Sequence, residues 1–287
     1  MAVGLNQCAE FDITGSSSWQ AFDQVTGGHL TIDGGEVAQS VGLGGLALVH
    51  RGMVTPTGSA TTTLQTGTLL SYIKPSAIGE LPPKISSIRG GLVGTTNGAM
   101  VQTDCYLRSL KLSCETGGVV DAAYEWIAQS AEYTTITSPA PKQTGLPFVW
   151  HKATVELGGA GYKCTSWEVT ITNALAARTS LDEKTAGKQR LPEWIDPGNF
   201  EITASFRFAL PLDINLLSDC PETIGFVATV QNCEQTPKTL TVDLTGGSKL
   251  YINSQPIEFV AAANEVIWSV TAVSKMNDLS VLTLSLE

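Results

Sequence analysis

Charge is scarce in this sequence. Asp, Glu, Lys and Arg make up 15% of the 287 residues, where about a quarter is usual for a soluble domain. Either neighbours cover much of the surface, or hydroxyls replace charge on it; the chain is also rich in Thr and Ser. Basic residues are scarcer still, 17 against 27 acidic ones, for a net charge of −10. That excludes a nucleic-acid binder, because holding phosphates needs clustered Lys and Arg. The same sign suits a wall that a polyanion slides past. Histidine occurs only three times, at His29, His50 and His151, with no metal or catalytic spacing. The six cysteines form no Cys-x-x-Cys pair, which argues against zinc and reads as scattered, reduced thiols. Long apolar runs are missing; the longest unbroken one covers residues 259–263. A membrane helix needs about 20, so no membrane partner is expected. Residues 1–15 lack the basic-then-apolar order of a signal peptide, and no Asn-x-Ser/Thr sequon occurs. Helical periodicity is nearly absent, with short candidates at 69–73 and 212–217 and a weaker one at 16–25.

What the chain does have is alternation. In 201–208, Ile202, Ala204, Phe206 and Phe208 share one face, and Glu201, Thr203, Ser205 and Arg207 the other. Residues 167–173 set Val169 and Ile171 against Glu168, Thr170 and Thr172, and 107–114 set Leu110 and Leu112 against Lys111 and Ser113. Period-two patterns with one polar face predict antiparallel sheets with one wet side. Residues 266–287 read as two strands around a turn at 275–278. At this length the chain buries roughly three quarters of its unfolded surface, in one large domain or two.

A faint repeat runs through these strands. His29-Leu30-Thr31-Ile32-Asp33-Gly34 resembles Glu168-Val169-Thr170-Ile171-Thr172-Asn173. Each is followed by a long loop, a proline turn (Pro56; Pro197) and a new strand, then a short helix candidate and a Thr-Gly-Gly hairpin turn at 116–118 or 245–247. The pattern predicts an N-terminal arm over 1–27 and two copies of one domain, 28–145 and 146–287. Loop one, 35–55, carries Val41, Leu43, Leu46, Leu48 and Val49; loop two, 174–195, carries Arg178, Asp182, Glu183, Lys184, Lys188 and Arg190. Long loops inside compact domains are usually functional. Apolar side chains on one and mixed charges on the other suit contacts with further subunits, against the plainer reading of a mobile surface loop.

Catalytic signatures are missing. No Gly-x-Ser-x-Gly elbow occurs. Gly42-Leu43-Gly44-Gly45 and the glycines at 158–161 lack the context of nucleotide loops and read as turns. The acids sit mainly in loops and turns, and the six tryptophans are spread singly, which favours packing over a sugar-binding face. No cofactor, metal or enzymatic activity is expected.

Several of these segments resemble the major tail tube proteins of long-tailed bacteriophages: 30–32, the Thr-rich strand after Pro56, Ser109 through Gly118, 167–173, and Ile195-Asp196-Pro197-Gly198 leading into 201–208. The likeness runs from about Gly28 to the C-terminus; the arm before it matches no known pattern. The resemblance implies a mainly β, tail-tube-type antiparallel sandwich or barrel with short flanking helices. Inner strands of neighbouring subunits would join in one closed barrel, and rings would stack. With two tandem tube domains the ring would hold three chains and imitate six-fold symmetry; a six-chain ring is the alternative. The expected role is a structural virion protein, made in the host bacterial cytoplasm, that forms the tail tube. DNA would pass through unbound, and tape measure, tail terminator and tip proteins would be partners. Thr31, Asp33, Glu168, Thr170, Glu201 and Thr203 are the lumen-facing candidates, with Arg207 a departure from that lining. The loop residues named above are the inter-ring candidates. A minor tail or capsid decoration protein, or a carbohydrate-binding β-sandwich, are the competing readings.

Overall fold

Strands alternating in this way must bury one face, and they do so against each other. The computed structural model describes residues 7–39, 48–161, 163–179, 191–209, 223–247, 250–254, 257–260 and 265–287. In chain order its strands are β1 (Gln7–Asp12), β2 (Gln20–Ala21), β3 (Gln24–Gln39), β4 (Leu48–Thr63), β5 (Ile85–Leu92), β6 (Ala99–Glu115), β7 (Val120–Thr134), β8 (Phe148–Leu157), β9 (Ala160–Gly161) and β10 (Cys164–Asn173). The second half adds β11 (Ala176–Arg178), β12 (Trp194–Asp196), β13 (Phe200–Ala209), β14 (Thr223–Ile224), β15 (Phe226–Asn232), β16 (Thr239–Asp243), β17 (Leu250–Ser254), β18 (Ile257–Val260), β19 (Glu265–Ser274) and β20 (Thr283–Leu286). The fold is mainly β and antiparallel, as expected. Among the described residues the helical elements are two 3-10 turns, Leu70–Tyr72 and Leu279–Val281. The first matches the candidate at 69–73; the candidate at 212–217 lies outside the described residues. Residues 16–25 hold β2 and the start of β3, not a helix.

One thirteen-stranded sheet carries the run β3-β4-β7-β6-β10-β13-β19, with β17 and β18 both on the far side of β19. β6 is long enough for two partners on one side: 99–105 pair with β5, and 109–115 pair with β10. Opposite the second half of this sheet lies a five-stranded sheet, β20-β16-β15-β8-β9. The two inner faces form the core. Val169, Ile171, Ile202, Ala204, Phe206 and Phe208 come from the large sheet, and Leu157, Phe226, Ala228, Val230, Leu240 and Val242 from the small one. Phe206 stacks on Phe226 with ring centroids 4.1 Å apart. Burying one such ring fully contributes about 1.5–3 kcal/mol.

The large sheet contains the same four-strand order twice. β3-β4-β7-β6 is followed by β10-β13-β19 and then β17 with β18. The irregularities repeat as well. One bulge falls between Val25 and Gly27 opposite Thr62 and Thr61, and its counterpart between Cys164 and Ser166 opposite Phe208 and Arg207. The extra residue is a threonine both times, and its hydroxyl donates to the facing strand: Thr26 Oγ1 to the Thr61 carbonyl at 3.2 Å, Thr165 Oγ1 to the Arg207 carbonyl at 3.1 Å. A second bulge falls between Leu107 and Ser109 opposite Trp126 and Glu125, and again between Ile252 and Ser254 opposite Ala272 and Thr271. A bulge bends and twists its strand, so both units carry the same curvature devices in the same register.

Three expectations need correction. Much of loop one is strand: the arms of the β3–β4 hairpin take in 35–39 and 48–55. Glycine at 34 and 35 suggests a break, but the register accommodates it with a bulge between Gly34 and Glu36. Pro56 is no turn; it sits within β4 opposite Ile32. The ladder to β7 begins only at Thr57, so a residue without an N–H is tolerated there. The first Thr-Gly-Gly does make the β6–β7 hairpin, with Gly118 N–H donating to the Glu115 carbonyl at 2.9 Å and Gly117 at φ 87°. The second, at 245–247, instead carries the chain from β16 in the small sheet to β17 in the large one. The final two strands exist, but β19 and β20 lie in different sheets.

The N-terminal segment is built in. Phe11 and Phe22 belong to the core. The buried Asp23 carboxylate accepts from the Gln65, Thr66 and Gly67 amides and from the Thr66 hydroxyl.

Candidate functional site

The residues that alternate with the core form one polar sheet face. Because pairing is antiparallel and in register, the odd-side residues line up across strands. Thr31 stands opposite Thr57, and His29 opposite Ser59, with Nδ1 and Oγ 2.9 Å apart. Ser59 faces Glu125, Glu125 faces Ser109, and Lys111 faces Thr170. Thr170 faces Thr203, Thr172 faces Glu201, and Glu168 faces Ser113 on one side and Ser205 on the other. Lys111 reaches diagonally to Glu168, Nζ to Oε2 2.6 Å. Of the six lumen candidates, Thr31, Glu168, Thr170, Glu201 and Thr203 therefore share one face. Asp33 stands opposite Thr55 in the β3–β4 ladder. Arg207 lies on this face too, opposite Ser166 and Ser269. Hydroxyls dominate the surface, and such a face offers neither a stacking platform nor a cluster of cations.

Sheet edges are the second feature. Among the described residues β3 pairs only with β4, and β18 only with β19. These are the two ends of the repeated run. The edge of β3 borders an open cleft of about 1240 Å³, with 24–30 on one bank and residues of β1 and β5 on the other.

Of the loop candidates, Arg178 is placed at the foot of loop two. There β11 and β12 form a two-stranded ribbon, and Arg178 Nε pairs with Asp196 Oδ2 at 2.9 Å. Leu48 begins β4. Val41, Leu43, Leu46, Asp182, Glu183, Lys184, Lys188 and Arg190 lie outside the described residues.

The buried thiols among the described residues are not poised as nucleophiles. The five described cysteines are free. Burial pushes the Cys105 thiol far up, Cys164 up to about 12, and Cys114 up to about 11. At Cys8, burial and then the neighbouring Glu10 raise it to about 11. An activated thiol shows the opposite shift. Among the described residues no cluster of His, Cys, Asp and Glu could hold a metal ion, and no helix is long and apolar enough to cross a membrane.

A polar β-face framed by open strand edges is the main feature of the described residues. Residues 82–219 match the family model for the phage tail tube protein. That span, just under half of the chain, runs from β5 through β13 and includes the β6–β10 junction between the two repeated units. The resemblance drawn from the residues is borne out over that span, which is similar to the phage tail tube protein. The family implies a place in the virion and a role other than catalysis. No curated protein matches the chain.

Sequence reasoning missed the bulge threonines, the paired edges and the docking of β1. Only the threonines left a trace, Thr26 and Thr165, each just before a strand already matched in the repeat.

Proposed function

We propose that three copies of this chain close into a ring with pseudo-six-fold symmetry, that rings stack into the tail tube, and that DNA passes through the bore. The observation that carries the reading is the four-strand unit present twice in one sheet with matching bulges. It supports a duplicated tube domain, with copies at about 28–145 and 146–287 that join through β6 and β10. An open strand edge invites uncontrolled pairing, and closing the sheet into a ring removes it. Closed rotation fixes ring size, while a head-to-tail interface between rings allows indefinite stacking. The hydroxyl-rich face then lines the bore, with Thr31, Asp33, Glu168, Thr170, Glu201 and Thr203 among its residues. Its acids repel phosphate at short range. Residues of loop one, 35–55, and loop two, 174–195, make the inter-ring contacts. Tape measure, terminator and tip proteins are the partners of such a tube, and synthesis takes place in the host cytoplasm.

Electron microscopy of the purified protein tests this. Averages down the tube axis should show six near-equivalent lobes with three-fold differences between them. True six-fold lobes built from six chains would reject the trimer, and a chain that stays monomeric at every concentration would reject the ring.

A further inference from the structure

We infer that the chain's internal β6–β10 junction is the template for the contact between chains, so that β18 of one copy adds to β3 of the next in a definite register. The inference rests on the ring proposed above and specifies its interface residue by residue. Each of the two repeated units begins with a strand, β3 or β10, and ends with another, β6 or the pair β17 and β18. Inside the chain the end of the first unit pairs with the start of the second: Glu115 with Ser166, Cys114 with Trp167, Ser113 with Glu168, Leu112 with Val169.

The shared bulges fix which residues are equivalent. Val25 and Gly27 correspond to Cys164 and Ser166, which places His29 at Glu168 and Leu30 at Val169. Leu107 and Ser109 correspond to Ile252 and Ser254, which places Ile257 at Leu112 and Glu258 at Ser113. The β18–β19 ladder keeps that count, since Ile257 faces Trp268 where Leu112 faces Ala122. Carrying the internal pairs across gives an antiparallel junction between chains: Gly27 opposite Val260, Gly28 opposite Phe259, His29 opposite Glu258, Leu30 opposite Ile257.

Three observations favour a second copy as the occupant. Both strands have one unpaired side among the described residues. The side of β3 along 24–30 opens on the cleft of about 1240 Å³. On that strand Val25 is 42% exposed and Leu30 only partly buried, whereas Val169, the counterpart of Leu30, is fully buried once β6 lies beside it. An added strand would complete the burial.

Cysteine pairs test the register. His29→Cys with Glu258→Cys sets the two positions directly opposite, and His29→Cys with Val260→Cys sets them two residues out of step. A disulfide needs Cα atoms within about 7 Å, so after mild oxidation the matched variant should give about tenfold more chain-to-chain cross-link than the slipped one. The linked peptides, identified by mass spectrometry against single-variant controls, must contain positions 29 and 258. Assemblies in which only the slipped pair links, or neither does, overturn the register and leave the ring standing. In the unsubstituted protein, amide exchange at 27–30 and 257–260 should slow on assembly. If rings form and exchange at both segments is unchanged, the interface is elsewhere. A chain that forms no assembly fails the ring itself, an outcome seen by microscopy before any cross-link is scored.

Discussion

Glu10 and Arg89 stand directly opposite each other in the β1–β5 ladder, with Nη2 2.6 Å and Nε 2.7 Å from the same carboxylate oxygen. Glu10 is 1% exposed and the Arg89 side chain 14%. The other carboxylate oxygen accepts from the Ala140 amide at 2.7 Å, while Arg89 donates to the Ser138 carbonyl and lies 4.0 Å over the Trp19 ring. One ion pair thus ties the N-terminal strand, β5 and the 138–140 segment together. Removing one partner leaves a buried charge uncompensated, which costs about 3–5 kcal/mol. Arg89→Ala should lower the denaturation midpoint accordingly and expose Trp19 to quenchers. A loss below about 1 kcal/mol, the range of a surface pair, would show that β1 is not held this way.

Gln102 is the polar hub of the first unit. Its Oε1 accepts from Trp126 Nε1 at 2.7 Å, and its Nε2 donates to the Thr31 and Thr57 carbonyls at 3.1 and 2.8 Å. A fully buried side chain thereby joins β6 and β7 to β3 and β4. Gln102→Leu leaves the indole N–H without its acceptor and takes a donor from both the Thr31 and Thr57 carbonyls, at about 1–3 kcal/mol for each group left unsatisfied. The expected result is a lower midpoint together with a shifted Trp126 fluorescence. Unchanged stability would mean that water replaces the amide.

Where both faces of a strand differ in polarity, the sequence shows it. β10 and β13 alternate cleanly because one face meets Phe226 and its neighbours and the other meets water, and the Thr-Gly-Gly turn of β6–β7 declares itself by its residue types. The β3–β4 hairpin was hidden because Gly34, Gly35 and Pro56 are turn formers by local propensity, and only pairing with a partner strand overrides that preference. The role of Glu10 was hidden for a similar reason: an acid in a short N-terminal segment reads as solvated until Arg89, far along the chain, is brought opposite it. The polar face was legible as a pattern. The open edges were not, since an edge is a property of the finished sheet.

Lys111 and Glu168 make a close pair, 2.6 Å apart, yet each side chain is nearly half exposed, at 45% and 44%. Solvent and salt screen such a pair, and its worth is about 0–1 kcal/mol. Lys111→Ala should therefore leave the midpoint within about 1 kcal/mol of the parent, in contrast to Arg89→Ala. A larger loss would show that the β6–β10 junction depends on the pair.

Alkaline pH should destabilise the fold through its buried thiols. Burial raises Cys164 from 9.0 to about 12 and raises Cys105 further. In the unfolded chain both ionise near pH 9, so above that the unfolded state binds fewer protons and stability falls as pH rises. Each buried thiol contributes about 1.4 kcal/mol of loss per pH unit above 9 until its folded value is reached. Denaturation midpoints at pH 8 and pH 10 measure the slope. Cys105→Ala carries its own packing cost at both pH values but should flatten the curve; an unaltered slope would assign the alkaline loss to other groups.

Glu125 and Glu201 both lie on the polar face, on β7 and β13, and the proposed bore makes their charge matter only when DNA moves. Replacing both by Lys keeps the side chains on the wet side of the sheet, so rings and tubes should still form. The lining would then hold phosphates, because each cation that meets the backbone releases a counterion and adds affinity that salt removes. Tubes carrying the double change should retain DNA at low ionic strength and release it at high, and phage built from them should eject DNA more slowly with the same salt dependence. Isosteric Glu→Gln changes at the same positions remove the acids without adding cations and should leave release fast. If the Lys variant assembles and neither binds DNA nor slows its exit at any salt, this face does not line the path of the genome.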